Sequence, residues 1–134
     1  MTAPLVVSCG EPAGIGPEIA AAAWAALGDA LPFAWIGDPR PLPEGTPVIE
    51  DDRATGAAEA AGHGLPVLPR DFGPARTPGR PDPAHAPHVI AAIAEGAAMA
   101  GDGRAAALVT APIHKAALID GAGFGLPGHT EYLA

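Results

Sequence analysis

The segment Gly-Glu-Pro-Ala-Gly-Ile-Gly-Pro-Glu at positions 10–18 constrains the fold of this chain more than any other stretch. It follows an apolar run at positions 5–7 that predicts a β-strand, and it precedes apolar residues spaced like one face of a helix. Pro17 suits the first turn of a helix, because its missing N–H would be unpaired there anyway. The glycines let the backbone approach a bound molecule closely. The segment therefore predicts a strand-turn-helix unit, either with a ligand at the turn or as a tight turn that binds nothing.

Further apolar runs continue this alternation of strands and helices. After a helix that ends at Gly28, residues 33–36 predict a second strand, and residues 105–110 predict a third, buried one. A helix is predicted at about 87–99, and a short one follows Pro112. The apolar stripe of the longer helix comprises Val89, Ile90, Ile93, Ala94, Ala97 and Ala98. The glycine pairs that close these two helices are Gly101 with Gly103 and Gly121 with Gly123. Strands that alternate with helices predict an α/β fold with a mostly parallel sheet flanked by helices.

The middle of the chain gives weaker signals. Prolines recur every few residues between 40 and 83, and only residues 65–68 are typical of a strand there. The stretch 69–83 is rich in proline, arginine and glycine, and it is interpreted as an extended surface loop rather than as a linker between domains.

Composition excludes several classes of protein. The 134 residues suffice for one compact domain, and the formal net charge of −8 argues against a nucleic-acid partner, which requires a basic face. The single cysteine, Cys9, cannot form an internal disulfide. The first residues lack a secretory signal, and no apolar run reaches the length of a membrane span. We therefore expect a cytoplasmic protein without a membrane partner.

Three segments place polar residues directly after a strand or before a helix. The candidate residues are Glu11, Gly14 and Gly16 in the first segment, His114 and Lys115 in the second, and His129 and Thr130 in the third. Such segments meet beyond the carboxyl ends of parallel strands, where α/β sheets bind ligands. For the histidines and the lysine, the alternative is an ordinary solvated or capping residue. The pattern assigns no role to His63, His85 or His88.

Three motifs resemble those of the 4-hydroxythreonine-4-phosphate dehydrogenases of vitamin B6 biosynthesis, and the resemblance covers essentially the whole chain. The motifs are Gly-Glu-Pro-Ala-Gly-Ile-Gly-Pro-Glu at 10–18, Leu-Val-Thr-Ala-Pro-Ile-His-Lys at 108–115 and Gly-His-Thr-Glu-Tyr at 128–132. Their shared order and spacing are more specific than any one of them. The first motif is also similar to the Gly-Ile-Gly-Pro-Glu turn of isocitrate and isopropylmalate dehydrogenases. The resemblance therefore implies an α/β fold of the isocitrate and isopropylmalate dehydrogenase type.

The resemblance implies a specific chemistry. Enzymes of this family use NAD to oxidise the secondary hydroxyl of 4-phosphooxy-L-threonine, and the resulting 3-oxo acid loses CO₂. A divalent metal (Zn, Mg or Co) held by three histidines polarises the hydroxyl. The enzymes are homodimers with sites near the subunit interface. His129 and Thr130 match the histidine and threonine that contact the substrate.

One departure from the family limits what this chain can do. In the family the three metal-binding histidines, and most residues that bind phosphate and NAD, lie downstream of the Gly-His-Thr-Glu segment. None of the five histidines here matches a metal ligand. We therefore expect residues 1–134 to be the N-terminal part of a larger α/β dehydrogenase. The chain alone is then incomplete and inactive, and no catalytic residue is assigned. The alternatives are a relative acting on threonate or erythronate 4-phosphate, and a non-catalytic α/β module.

Overall fold

A computed structural model of the chain describes residues 3–28, 30–51 and 53–122. The strands are β1 (Leu5–Ser8), β2 (Phe33–Gly37), β3 (Val48–Glu50), β4 (Leu65–Pro69) and β5 (Ala107–Thr110). The helices are α1 (Gly16–Leu27), α2 (Ala57–Ala60), α3 (Ala86–Gly101) and α4 (Lys115–Ala122). Short 3₁₀ turns at Ala54–Gly56 and Pro83–His85 lead into α2 and α3. Pro17 lies in the first turn of α1, and Gly28 follows the end of that helix, as predicted.

The five described strands form one parallel sheet in the order β3-β4-β2-β1-β5. Leu5 of β1 pairs with Phe33 of β2 on one side and with Ala107 of β5 on the other. Because all strands run in the same direction, their carboxyl ends meet at one end of the sheet. The predicted α/β class with a parallel sheet is confirmed, and the turns after β1, β2 and β5 are neighbours.

Helix α3 covers one face of the sheet over β1, β5 and β2. Its buried residues are Ala86, Val89, Ala92, Ile93, Gly96 and Met99. The predicted apolar stripe is wrong at Ala94 and Ala98, which are exposed. At Gly96 the missing side chain lets Leu108 of β5 come so close that an added Cβ would lie 2.6 Å from its Cδ1 atom. A glycine can therefore define the packed face of a helix, although it adds little to an apolar pattern.

Strand β5 differs from its prediction in both length and burial. It begins at Ala107 rather than at position 105, and it is the outermost strand of the described sheet. Val109 is 47% exposed, so the strand is not buried. The apolar run Ala-Leu-Val-Thr indicates a strand, but it does not show how many neighbours the strand has within the described residues.

The segment before β4 contains two elements that the sequence did not predict, β3 and α2. Strand β3 has three residues and directly follows Pro47, and α2 is a single turn, so neither is long enough to show a hydrophobic period. The end of α2 is fixed to α1 by Trp24, whose indole N–H donates to the carbonyl oxygen of Ala61 at 3.0 Å. The predicted strand at 65–68 is confirmed as β4.

The short helix α4 continues past the residue that was expected to end it. Gly121 lies inside α4, and a Cβ at this position would overlap the carbonyl oxygen of Pro83. The glycine therefore permits close packing between α4 and the 3₁₀ turn, and the prediction that it ends the helix is wrong. Gly123 lies outside the described residues. Among residues 3–28, 30–51 and 53–122, no helix has the length and apolar character needed to cross a membrane.

Candidate active site

The turn after β1 lies directly against the turn after β5. The backbone N–H of Glu11 donates to the carbonyl oxygen of Pro112 at 2.9 Å, and that of Ala111 donates to Ser8 at 3.1 Å. Gly10 has a φ of +69°, and a Cβ on it would overlap the Pro112 carbonyl oxygen. Only glycine combines this left-handed conformation with so close an approach. The first and second sequence motifs are therefore held together by backbone contacts.

The two other glycines of the first turn have different surroundings. A Cβ on Gly16 would lie 2.6 Å from the carbonyl oxygen of Cys9, so the missing side chain lets α1 begin close to β1. The N–H of Gly14 donates to the carbonyl oxygen of Glu11 at 3.0 Å, which closes a tight turn. A Cβ on Gly14 would meet nothing closer than 3.4 Å. Gly16 is therefore a buried packing position, while Gly14 lies at the accessible part of the turn.

Glu11 places a buried carboxyl group at this end of the sheet. The residue is 7% exposed, and its carboxylate accepts a long hydrogen bond of 3.4 Å from the N–H of Ala13. Burial raises the pKa of Glu11 above its ordinary range, although the Ala13 N–H and the nearby His85 and His114 lower it in part. Such a carboxyl keeps its proton to a higher pH than an exposed glutamate does, and it can then donate a hydrogen bond.

His114 and Lys115 lie at the start of α4, and both are exposed. The Nδ1 atom of His114 accepts a hydrogen bond from the N–H of Ala117 at 3.2 Å, which caps the helix. Because Nδ1 accepts, the proton of the neutral ring is on Nε2. The structure thus brings His114 close to Glu11. It also shows His114 capping a helix, which the sequence analysis gave as the alternative to a role in ligand binding.

The proline-rich segment after β4 covers the first turn, which the sequence did not predict. The guanidinium of Arg76 donates from Nη1 to the carbonyl oxygen of Pro12 at 3.0 Å. The N–H of Gly79 donates to the carbonyl oxygen of Ala13 at 2.9 Å. Arg76 also approaches Glu18 of α1 at 3.6 Å. These contacts hold residues 76–79 against the turn that carries Glu11.

His85 is a further residue of this region to which the sequence assigned no role. It is 2% exposed, and its Nε2 lies 2.6 Å from the carbonyl oxygen of Pro74, so that nitrogen carries a hydrogen. Its Nδ1 is buried without a partner among the described residues. The only local signal is Asp82, which accepts from the N–H of Ala84 at 2.9 Å and starts the 3₁₀ turn. That signal predicts the turn but not the burial of the ring.

Asp38, at the end of β2, is a second polar group that the sequence missed. Burial raises its pKa, but hydrogen bonds from Arg40 and from the N–H of Phe72 outweigh this effect and leave the pKa below its ordinary value. The Phe72 N–H lies 3.2 Å from Oδ2, and Arg40 also donates to the carbonyl oxygen of Gly73 at 2.8 Å. Asp38 therefore fixes the start of the proline-rich segment, and its negative charge is already paired.

The third predicted segment lies beyond the residues that the structure describes. His129 and Thr130 lie outside the described residues. Within residues 3–28, 30–51 and 53–122, no group of three or more histidine, cysteine, aspartate or glutamate side chains could hold a metal ion. The donor set in the described part of the chain thus does not fit the divalent metal that the resemblance implies.

Comparisons with known proteins identify the relatives of this chain. The 4-hydroxythreonine-4-phosphate dehydrogenase of Roseobacter denitrificans is 58% identical over 132 residues, which cover 98% of this chain and 40% of the relative. The protein of that name from Ruegeria sp. is 54% identical over 130 residues, or 97% of this chain and 40% of the relative. The crystal structure of a 4-hydroxythreonine-4-phosphate dehydrogenase from Klebsiella pneumoniae superposes with a TM-score of 0.84 at 27% identity. That superposition covers 98% of this chain and 44% of the crystal structure.

The chain matches only part of the length of its relatives, but most of the chain matches the family model. The chain spans about 40% of the length of the curated relatives described above. The model of the family described as "Pyridoxal phosphate biosynthetic protein PdxA" matches residues 29–134. This match covers most of the chain, and relatives with the corresponding enzyme name align with nearly all of it. The chain therefore belongs to the PdxA family of pyridoxal phosphate biosynthetic proteins.

Proposed function

We propose that this chain is the N-terminal part of an NAD-dependent 4-hydroxythreonine-4-phosphate dehydrogenase that acts on 4-phosphooxy-L-threonine in the cytoplasm. The observation that carries the proposal is the 58% identity to the Roseobacter denitrificans relative of that name over 98% of this chain. The geometry supports it, because the turns that carry Glu11 and His114 meet at the carboxyl end of a parallel sheet.

In this proposal the described residues form one wall of the substrate pocket. Gly14 gives the substrate access to the backbone of the first turn, and Gly16 keeps α1 close behind it. Glu11 presents a carboxyl group of raised pKa. The neutral ring of His114 offers its Nε2–H as a hydrogen-bond donor, and Lys115 at the start of α4 contributes positive charge for a phosphorylated substrate. His129 and Thr130 bind the amino-acid end and the hydroxyl of the substrate, since an imidazole and a hydroxyl can both donate and accept hydrogen bonds.

The remaining chemistry is assigned to the part of such an enzyme that this chain does not cover. When bound there, NAD would supply the hydride acceptor, and a divalent metal (Zn, Mg or Co) would supply Lewis-acid chemistry. The described residues provide no ligand set for that metal, so no step through it is assigned to them. A homodimer of the complete enzyme is part of the same proposal.

A fusion protein tests the proposal. Residues 1–134 are joined to the part of the Roseobacter denitrificans enzyme that follows the matched region, and NADH formation is measured with 4-phosphooxy-L-threonine. We expect the fusion to reduce NAD and the separate 134-residue chain to show no turnover. His129→Ala should lower kcat/KM of the fusion roughly tenfold to a hundredfold, because a hydrogen bond to a charged group is worth about 1.5–3 kcal/mol.

Two outcomes decide against the proposal. A fusion with the circular dichroism spectrum and size of the parent enzyme but no NADH formation favours the non-catalytic module. Faster turnover of threonate or erythronate 4-phosphate than of 4-phosphooxy-L-threonine favours the related sugar-acid enzyme. The matched control is the unmodified Roseobacter denitrificans enzyme, measured under the same conditions.

A further inference from the structure

The described residues 3–28, 30–51 and 53–122 leave one face of the sheet open over β1 and β5. Val6 and Ser8 of β1 are fully buried on the face that α3 covers. Because side chains alternate along a strand, Leu5 and Val7 point to the opposite face, where both are partly exposed. Val109 of β5 lies beside them and is about half exposed. On this second face, α1 borders the strands without covering them.

The result is an apolar groove between α1 and the edge of the sheet, with a volume of about 260 Å³. Its large apolar side chains are Leu5, Val7, Ile19, Leu27, Leu31, Phe33 and Val109. Ile19 is 47% exposed and Leu27 is 49% exposed, although both lie on the helix face that borders the sheet. Scattered apolar residues are normal on a protein surface, but several that converge on one groove mark an interaction site.

The open face over β1 and β5 spans two strands, which is about the width that one helix covers. Parallel sheets occur almost only with both faces covered, because their strands are connected through helices. Neighbouring strands lie about 4.8 Å apart, and a helix with its side chains is about 10 Å wide. One helix therefore covers about two strands, which is the extent of the open face over β1 and β5.

We infer that this groove, defined by Ile19 and Leu27 of α1 and by Val7 and Val109 of the sheet, is the docking site for an amphipathic helix from the part of a PdxA-family protein that this chain does not cover. The relatives provide the length for it, since this chain covers only 40% of the Roseobacter denitrificans protein and 44% of the Klebsiella pneumoniae structure. The inference depends on family membership and not on the proposed reaction.

A second copy of this chain suits the groove less well. Each copy carries a formal net charge of −8, so two copies facing each other would bring like charges together. An amphipathic helix needs only one apolar face with residues spaced at i, i+3, i+4 and i+7 to fill such a groove. The groove is open along α1, so a helix parallel or antiparallel to α1 can enter it.

Thiol labelling tests the inference in two forms of the protein. Leu27→Cys places a thiol in the groove, and Ala25→Cys places one on an exposed position of the same helix that does not line the groove. The natural Cys9 gives a low background, because burial raises its pKa to about 12. Each variant is labelled with a small maleimide in the 134-residue chain and in the fusion with the rest of the Roseobacter denitrificans enzyme.

We expect Leu27→Cys to react readily in the 134-residue chain and at least tenfold more slowly in the fusion, while Ala25→Cys reacts equally in both. Slow labelling of Leu27→Cys in the 134-residue chain, with sedimentation as a dimer, would assign the groove to a second copy and overturn the inference. Equal labelling of Leu27→Cys in both forms, or equal protection at both positions, would overturn it as well.

A second variant measures the same contact through stability. Val109→Asp puts a charge on the open face, where water can solvate it in the 134-residue chain but not under a docked helix. We expect it to lower the melting temperature of the fusion by several degrees more than that of the 134-residue chain. Equal shifts in the two forms contradict the inference. A fusion without dehydrogenase activity that still protects Leu27→Cys supports the groove while contradicting the proposed function.

Discussion

Replacing Gly10 with alanine tests whether the contact between the turns after β1 and β5 depends on this glycine. Two properties of the position make it demanding: its φ of +69° and the overlap that an added Cβ would have with the carbonyl oxygen of Pro112. Gly45 has a similar φ of +82°, but nothing lies within 4 Å of the place where its Cβ would be. Gly45→Ala is therefore a matched control that has the conformational cost without the overlap.

The expected magnitudes follow from these two contributions. A left-handed conformation costs a non-glycine residue about 1–2 kcal/mol, and both variants bear this cost. In Gly10→Ala the turns must also separate, which breaks the hydrogen bond from the Glu11 N–H to Pro112. A lost hydrogen bond adds about 0.5–1.5 kcal/mol. We therefore expect Gly10→Ala to lower the free energy of unfolding by roughly 1.5–3.5 kcal/mol, and Gly45→Ala by about 1–2 kcal/mol.

Urea unfolding, followed by tryptophan fluorescence, measures both variants in the 134-residue chain. Trp35 is buried in β2 next to β1, so its emission reports loss of the sheet. The urea midpoint should fall for both variants and further for Gly10→Ala, with an unchanged slope. Equal midpoints for the two alanine variants would refute the reasoning, because they would show that the close approach to Pro112 contributes nothing.

Other positions give further predictions with internal controls. The raised pKa of Glu11 means that its contribution to stability is lost as the pH rises from the ordinary glutamate pKa through the folded-state value. Glu11→Gln should therefore gain stability relative to the parent as the pH rises above the ordinary glutamate range. The lowered pKa of Asp38 gives the opposite pH dependence of stability. Asp38→Asn should lose most stability relative to the parent at neutral pH, and this loss should shrink as the pH falls. Urea midpoints measured across pH check both variants. Gly101→Ala, at the open end of α3, should raise the free energy of unfolding by about 0.5–1 kcal/mol. Gly96→Ala should give no such gain, because its Cβ would meet Leu108. Thermal unfolding of both variants measures the difference.

The elements that the sequence predicts are those with a local signal. β1, the turn and α1 follow from an apolar run, three glycines and Pro17, all within about 25 residues of the start of the chain. β2, β4 and α3 likewise show apolar runs or a helical period. β3 and α2 have too few residues to show a period, and they form because neighbouring strands and Trp24 provide partners for them. Whether β5 is buried or exposed depends in the same way on its neighbouring strands, and a sequence pattern does not show those.

The residues of the candidate site also differ in whether a local sequence signal predicts them. Glu11 and His114 are found from the sequence because each follows a strand in a glycine- or proline-containing turn. His85 and Asp38 become part of the same region through contacts with the proline-rich segment, such as the bond of His85 to Pro74. Those contacts join residues 11 and 34 positions apart, and no local pattern encodes them. Proline density indicates an irregular segment but not the surface on which it packs.

The frame around Glu11 consists mainly of bonds to backbone atoms. The Glu11 N–H bonds to Pro112, the Gly79 N–H bonds to Ala13, and Arg76 bonds to the carbonyl oxygen of Pro12. Backbone atoms are the same in every residue, so side-chain substitutions in these turns should change the frame little if they keep its dihedral angles. The exceptions are Arg76, whose guanidinium is itself a donor, and the positions where a Cβ has no room. A chain with only 4% aromatic residues can therefore position a buried carboxyl group accurately, because glycines rather than large side chains decide how closely its turns approach.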